Sequence, residues 1–175
     1  ALKQLRTIES RFEDHAFAVL TQVEMACKED GDIPLPPIVT VQDILAREEL
    51  SIGPTNVIDN LLHKNEFNKC KSVSADYIGQ MVQTLLENPA FRQRHALLIS
   101  YQARIAALQQ QPERAIELLK TAVAEKPDVD TALQLAVWLA YAGRKEESQH
   151  YLRVAQTEMR IPVIEPLAYS DRIRY

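Results

Sequence analysis

Glycine is scarce in this chain. There are four among 175 residues, Gly31, Gly53, Gly79 and Gly143, or about 2% where ordinary usage is near 7%. They are too far apart to form a G-x-G-x-x-G turn or a G-x-x-x-x-G-K loop, which excludes glycine-loop nucleotide binding of either kind. No run of 18 apolar residues occurs, so no segment reads as membrane-spanning, and no secretory signal is visible. A basic stripe is also missing. Residues 1–50 hold five Lys/Arg against ten Asp/Glu, the remainder holds fifteen against fourteen, and the net charge is −4. That distribution lacks the electrostatic footprint of a nucleic-acid binder. The four histidines, His15, His63, His95 and His150, never fall three or four residues apart, so a helical pair of metal-ligating histidines is excluded. The two cysteines, Cys27 and Cys70, make no C-x-x-C pair. They read either as two buried thiols in a reducing compartment or as one disulfide in an oxidising one.

What remains is rich in Leu, Ala, Glu and Gln, with 46% hydrophobic and 25% charged residues. The periodicity is helical. Leu2, Leu5, Ile8, Phe12, Ala16, Val19, Leu20, Val23 and Cys27 recur at spacings of three and four, predicting a helix over 2–27. The pattern starts at once behind Ala1, with neither a methionine nor a capping residue ahead of it, and reads as a piece of a longer parent chain. Prolines 34, 36 and 37 predict an extended connector. Thr40 is expected to cap a helix reaching about Leu50, and Thr55 or Asn56 to open another behind Ser51-Ile52-Gly53-Pro54. Residues 64–74 read as a polar loop around Phe67 and Cys70. Ser74 is expected to cap a helix over 75–87, closed by Asn88-Pro89. Four more helices follow at 91–110, 113–126, 130–142 and 144–159, separated by short breaks that make antiparallel hairpins. No alternating strand pattern appears. The expected fold is all-α, with an N-terminal helical region over 1–73 carrying the Pro-rich connector 33–37, and helical repeats with a C-terminal tail over 74–175.

The last four helices repeat with an offset of 33 residues. Ala103 falls on Ala136, Gln110 on Gly143, Ala115 on Ser148, Leu119 on Leu152 and Ala122 on Ala155. Self-similarity at this period is the mark of a solenoid-type unit. A small residue in mid-helix, a turn residue, then Ala, Leu, Ala and a closing Pro127 resemble the tetratricopeptide repeat. The resemblance covers about 95–159 and implies a two-repeat, right-handed superhelical end. It departs from the family pattern at Ile99 and Ala132, where a Trp is usual, and at Ala106 and Leu139, where a Tyr is usual. A generic pair of α-hairpins is the other reading. Trp138 is expected in the core. The tail residues after Pro162, Val163, Ile164, Leu167 and Tyr169, are expected to cover the second unit.

A wider resemblance rests on Leu97-Leu98-Ile99-Ser100-Tyr101-Gln102-Ala103 and on Leu135 through Arg144, behind an irregular helical segment. This arrangement is similar to the soluble tail of O-antigen polymerase and pilin oligosaccharyltransferase membrane proteins. The resemblance implies a domain on the periplasmic side of a bacterial inner membrane, with a cytoplasmic setting as the alternative. It carries no catalytic residue to this chain, because that family's catalytic residues lie in its membrane portion.

Reaction chemistry has no sequence signature here. G-x-S-x-G is absent. Glu147-x-x-His150 has the spacing of a carboxylate-bridged metal site but lacks a second copy. Adjacent carboxylates such as Glu146-Glu147 face about 100° apart on a helix and read as solvent charge. Arg92, Arg94, His95 and Arg104 read either as receptors for an acidic partner or as surface pairs with Glu87 and nearby acids. The expectation is a non-catalytic protein-interaction module without cofactor or metal. Its partner would be a protein or peptide, or the membrane part of the same parent chain. An enzyme domain hydrolysing glycans through scattered residues, or a structural cap without ligand, are the alternatives. In the repeat reading a partner groove is lined by Leu97, Ser100, Arg104 and Leu108 in the first unit, and by Asp130, Leu133, Val137 and Ala140 in the second.

Overall fold

The computed structural model describes residues 15–27, 33–47, 53–67, 69–70 and 72–159. Every regular element within them is a helix. The first helix, α1, covers 15–26 and buries Ala16, Leu20, Val23 and Ala26. The expected start of this helix at residue 2, its end at Glu29–Asp32, and the tail beyond Arg160 lie outside the described residues.

The connector at 34–37 is extended and held by side chains from two helices. Gln22 donates to the Pro34 carbonyl at 2.7 Å, and the Tyr77 hydroxyl donates to the Pro36 carbonyl at 2.9 Å. Helix α2, Ile38–Leu45, then begins two residues before Thr40. Pro37 is the N-cap, and its carbonyl accepts from the Thr40 and Val41 amides. A residue already fixed near φ −65° that offers a carbonyl can start a helix without a side-chain cap, so Thr40 sits inside the first turn. Helix α3, Pro54–Glu66, likewise starts at the proline expected to break the chain, with Gly53 as N-cap. Proline is favoured at the first helical position, where its missing N–H has no partner to lose.

Helix α4, Ala75–Glu87, is capped by the Ser74 hydroxyl, which accepts from the Tyr77 amide at 3.1 Å. Asn88 ends it and is buried. Its side chain accepts from the Ala90 amide and donates to the carbonyls of Leu45 and Arg47. This one amide ties the end of α2 to a 3-10 turn over Pro89–Arg94, which replaces the first turn of the helix expected from Phe91.

Helices α5 (His95–Leu108), α6 (Pro112–Glu125), α7 (Val129–Tyr141) and α8 (Lys145–Met159) follow. α5 pairs with α6 and α7 with α8, while α6 packs on α7 and α4 on α5. The two hairpins close identically at the 33-residue offset. Gln110 has φ 59° and Gly143 has φ 76°. Around them Gln110 N–H reaches Ala107 O and Gln111 N–H reaches Ala106 O; Gly143 N–H reaches Ala140 O and Arg144 N–H reaches Leu139 O. This is the paired closure of a helix by a left-handed residue. Between the helices of each hairpin sit small buried side chains, Ala103 and Ala115 in one, Ala136 and Ser148 in the other. The Ser148 hydroxyl donates to the Ala136 carbonyl across that contact at 2.7 Å.

The apolar side chains form two clusters. The larger gathers α1 to α5 around Leu20, Leu45, Ile58, Leu61, Ile78 and Met81; the expected boundary at 73–74 falls between α3 and α4, which share it. The second holds Ala103, Ile116, Leu119, Ala132, Leu135, Leu139 and Ala155. α5 contributes to both. Trp138 is only partly buried at the edge of the second cluster, contrary to its expected place in the core. On α7 the residues at 131, 132, 135, 136 and 139 take the inward face, and the 3.6-residue period turns position 138 away from it. Cys27 at the end of α1 is joined to Cys70 ahead of α4, with Cα atoms 4.9 Å apart and a sequence separation of 43. Beside this bond the Ser72 hydroxyl donates to the Ala26 carbonyl.

Two outcomes follow. A β-carbon on Gly143 would meet nothing within 4 Å, so Gly143→Ala is expected to cost about 1 kcal/mol through backbone conformation alone. The exposed Gln110→Gly should gain about 0.5–1 kcal/mol, since relief of the left-handed strain is partly offset by glycine's freedom in the unfolded chain. Urea denaturation of both variants checks the opposite signs. For the disulfide, loop-closure entropy over 43 residues predicts that Cys27→Ser with Cys70→Ser loses about 4 kcal/mol at most. The unreduced native chain should show no free thiol by intact mass after alkylation.

Candidate functional site

α7 presents a second face opposite its buried one. Asp130, Leu133, Gln134, Val137, Trp138 and Tyr141 recur at spacings of three and four, so they line one side of the helix over three turns. Against this face stand Arg104, Ala107 and Leu108 of α5 and Glu66 at the end of α3, enclosing an open groove of about 640 Å³. The floor is aliphatic, with Leu108, Leu133 and Val137 half-buried. Trp138 and Tyr141 form its rim, their ring centroids 6.3 Å apart and inclined by 53°. Tyr141 is 65% exposed.

Arg104 is the fixed point of the wall. Its side chain is 14% exposed, and its Nε and Nη2 donate to the two carboxylate oxygens of Glu66 at 2.6 and 3.0 Å, while Nη1 donates to Asp59 at 2.5 Å. A bidentate guanidinium–carboxylate pair combines geometric specificity with strength. Burial opposes the charge, but the bonds to Glu66 and Asp59 outweigh it and push the guanidinium pKa further up. Beneath it, 5.9 Å from the guanidinium carbon, lies the ring of Tyr101. The Tyr101 hydroxyl donates to the Thr55 carbonyl at 3.3 Å. Burial pushes its pKa up to about 12; the Asp59 carboxylate adds to this, and Arg104 and Arg94 oppose it.

Of the residues expected to line a partner groove, Arg104, Leu108, Asp130, Leu133 and Val137 come together. Leu97, Ser100 and Ala140 do not line it. The first half of α5 is covered by α3 and the 3-10 turn, with Tyr101 and Arg94 both bonded to Thr55, so the groove begins only at Arg104. Leu97 is 41% exposed elsewhere, and Ser100 is buried with its hydroxyl on the Leu97 carbonyl. On α7 the lining face runs through 141 rather than 140, leaving Ala140 on the exposed surface beside it. Three of the four basic residues of the first unit are engaged internally, and Arg92 is exposed. His95 pairs with Glu125 at 2.6 Å, Arg94 donates to Thr55, and Arg104 binds the acids of α3. Glu87 accepts from Gln83 instead. Sequence reasoning missed Gln134, Trp138, Tyr141 and Glu66 as lining residues. The first three share the helical spacing of Asp130 and Val137, which was the available signal; Glu66 was read as loop and had none.

Comparison with protein-family models, with curated proteins and with solved structures gives no match. The groove therefore stands on its own geometry. It offers a ligand apolar contact area, two aromatic rings and carboxylates at its edges. Among the described residues, no group of three or more His, Cys, Asp and Glu is arranged to hold a metal ion, and no helix is long and apolar enough to cross a membrane.

The Glu147-x-x-His150 pair lies on α8, outside the groove. Glu147 accepts from Arg144 at 2.6 and 2.7 Å and pairs with Lys120 at 3.2 Å, while the His150 ring meets Tyr151 edge to face. The bond from Arg144, then that from Lys120, holds the Glu147 carboxyl down at about 2. A carboxyl depressed by folding adds stability above its unfolded pKa, and that contribution is lost as pH falls through the folded value. Native stability should therefore fall between about pH 4.5 and 2 by more than that of Glu147→Gln. Side-chain carboxyl NMR is expected to place the Glu147 midpoint near 2, and a midpoint above 4 would remove the basis for that difference.

Proposed function

We propose that this chain is a non-catalytic protein-interaction module whose groove receives a segment of a protein partner, or of the membrane part of its own parent chain. The groove itself carries the reading. The first helix of each hairpin and the end of α3 turn apolar, aromatic and charged side chains onto one open surface, and fixed helical walls of this composition suit recognition of an extended or helical segment. The polar group best placed to act on a substrate, Arg104, is instead held by Glu66 and Asp59. Stacking of the two hairpins in a tetratricopeptide-like superhelix belongs to the same proposal and is supported by their shared turn geometry at a 33-residue offset.

The proposal extends to setting. The chain is a soluble domain of a larger bacterial membrane protein of surface-glycan assembly or protein glycosylation, facing the periplasm. The Cys27–Cys70 bond supports an oxidising compartment; the resemblance of the helical segments to that group supports the parent. A photoreactive phenylalanine analogue placed at Tyr141 in the full-length protein, in cells, tests the groove. It is expected to give one discrete adduct, identified by mass spectrometry, that disappears with Val137→Asp. The same analogue at Thr121, exposed on α6, should give none. No adduct at 141, or equal adducts at both positions, would overturn the reading.

A further inference from the structure

The groove's charge is unbalanced, and its one described cation is already in use. Glu66 and Asp130 are two lining carboxylates against the single guanidinium of Arg104, and that guanidinium is bound in addition by Asp59, behind the lining. Arg104 spends three nitrogens on α3 carboxylates and keeps 14% of its side chain exposed. It is therefore a poor receiver for an anion. Asp130, in contrast, is exposed in the first turn of α7, and no ion pair among the described residues reaches it. At the other end of the same helical face Trp138 and Tyr141 present two inclined aromatic rings. The face of an aromatic ring attracts a cation, arginine most often. Both ends of the groove thus select positive charge by different means, with the aliphatic floor of Leu108, Leu133 and Val137 between them.

We propose that the groove receives a peptide segment bearing two arginine or lysine side chains on either side of aliphatic ones. This rests on the reading of the groove as a partner-binding surface and names the partner's chemistry. The spacing follows from α7. Asp130 and Tyr141 are eleven residues apart, about 17 Å at 1.5 Å per residue. An extended peptide covers that length in about five residues at 3.3 Å each, so the two cations stand four or five positions apart. A neutral saccharide fits less well: it needs free hydrogen-bonding groups across the floor, where the side chains are aliphatic and Arg104 and Glu66 are spent on each other.

The test is to pan a random dodecapeptide phage library against the immobilised chain, with the selected peptides then synthesised and titrated. Trp138 is the only tryptophan, so its fluorescence reports this groove and no other surface. Enrichment of Arg/Lys pairs at the stated spacing around Leu, Ile or Val is expected, with binding that weakens as salt rises. Asp130→Asn should weaken it by about 1.4-fold to fivefold, the range of an exposed ion pair. Tyr141→Ala should also weaken it. Both sites are exposed, and circular dichroism of each variant verifies the fold. Selection of acidic or uncharged peptides that shift Trp138, or binding indifferent to salt and to Asp130→Asn, would overturn the cationic assignment while leaving the groove as a peptide site. Failure of every selected peptide to shift Trp138 would overturn both readings, and a shift by maltohexaose in that case would mark the groove as a saccharide surface.

Discussion

Everything in the C-terminal half depends on two helices reversing direction within about three residues, twice and in the same way. One residue at positive φ closes a helix tightly enough for such a reversal, and Gln110 and Gly143 supply it at equivalent places. Once that residue is left-handed, its own amide and the next one close on the last helical carbonyls. The returning helix is then aimed along its partner, and it can pack at close range only if the facing side chains are small. Ala103 and Ala115, and Ala136 and Ser148, meet that condition. Each unit inherits the same register from the same turn, which sets α5 and α7 to flank one groove.

The groove needs a third contributor. α5 is buried from two directions: Leu98, Tyr101 and Ile105 belong to the N-terminal cluster and Ala103 to the second. A helix covered on two sides has little polar face left, and Arg104 occupies a share of what remains. Its guanidinium, mostly out of water, is kept charged by Glu66 and Asp59 of α3. That pairing fixes the end of α3 against α5 and converts a solvent-facing seam into a wall. The N-terminal helices therefore do more than cover an exposed end of the repeat; they supply a side of the candidate site.

The sequence made the helix content, the hairpins and the 33-residue period legible, because those rest on local patterning and on residues such as Ser74 and Gly143 whose roles are short-range. It misplaced the starts of α2 and α3 because Pro37 and Pro54 were read as breakers, when proline is also a good first residue for a helix. About half of the groove was legible. Arg104, Leu108, Asp130, Leu133 and Val137 followed from periodicity on two helices expected to lie side by side. Ser100 failed because it is buried with its hydroxyl on the Leu97 carbonyl, and Leu97 because it stays exposed away from the groove; neither outcome is set by the local pattern of α5. Trp138 failed for a related reason: its size suggested the core, while the phase set by Leu135 and Leu139 turns it to the rim. Glu66 lies 38 residues from its partner Arg104, and a pairing at that distance leaves no mark on either local segment.

The two faces of the hairpin pair handle charge differently, and the difference bears on the proposed interaction. On the second helices and the turn ahead of α8, Lys120 and Arg144 lie within 4 Å of Glu113, Glu117 or Glu147, so each of those carboxylates has a cation of its own chain. Such a network is screened by water and salt and offers an incoming charge little that it does not already possess. On the first helices the only cation among the described residues of the groove is withdrawn into a bidentate pair, while aliphatic and aromatic surface lies open beside carboxylate. Apolar area exposed next to uncompensated charge contributes little to folding, and both are relieved when a partner of matching shape and opposite sign covers them. The asymmetry supports the groove of α5 and α7, with α3 as its third wall, as the surface of the proposed interaction.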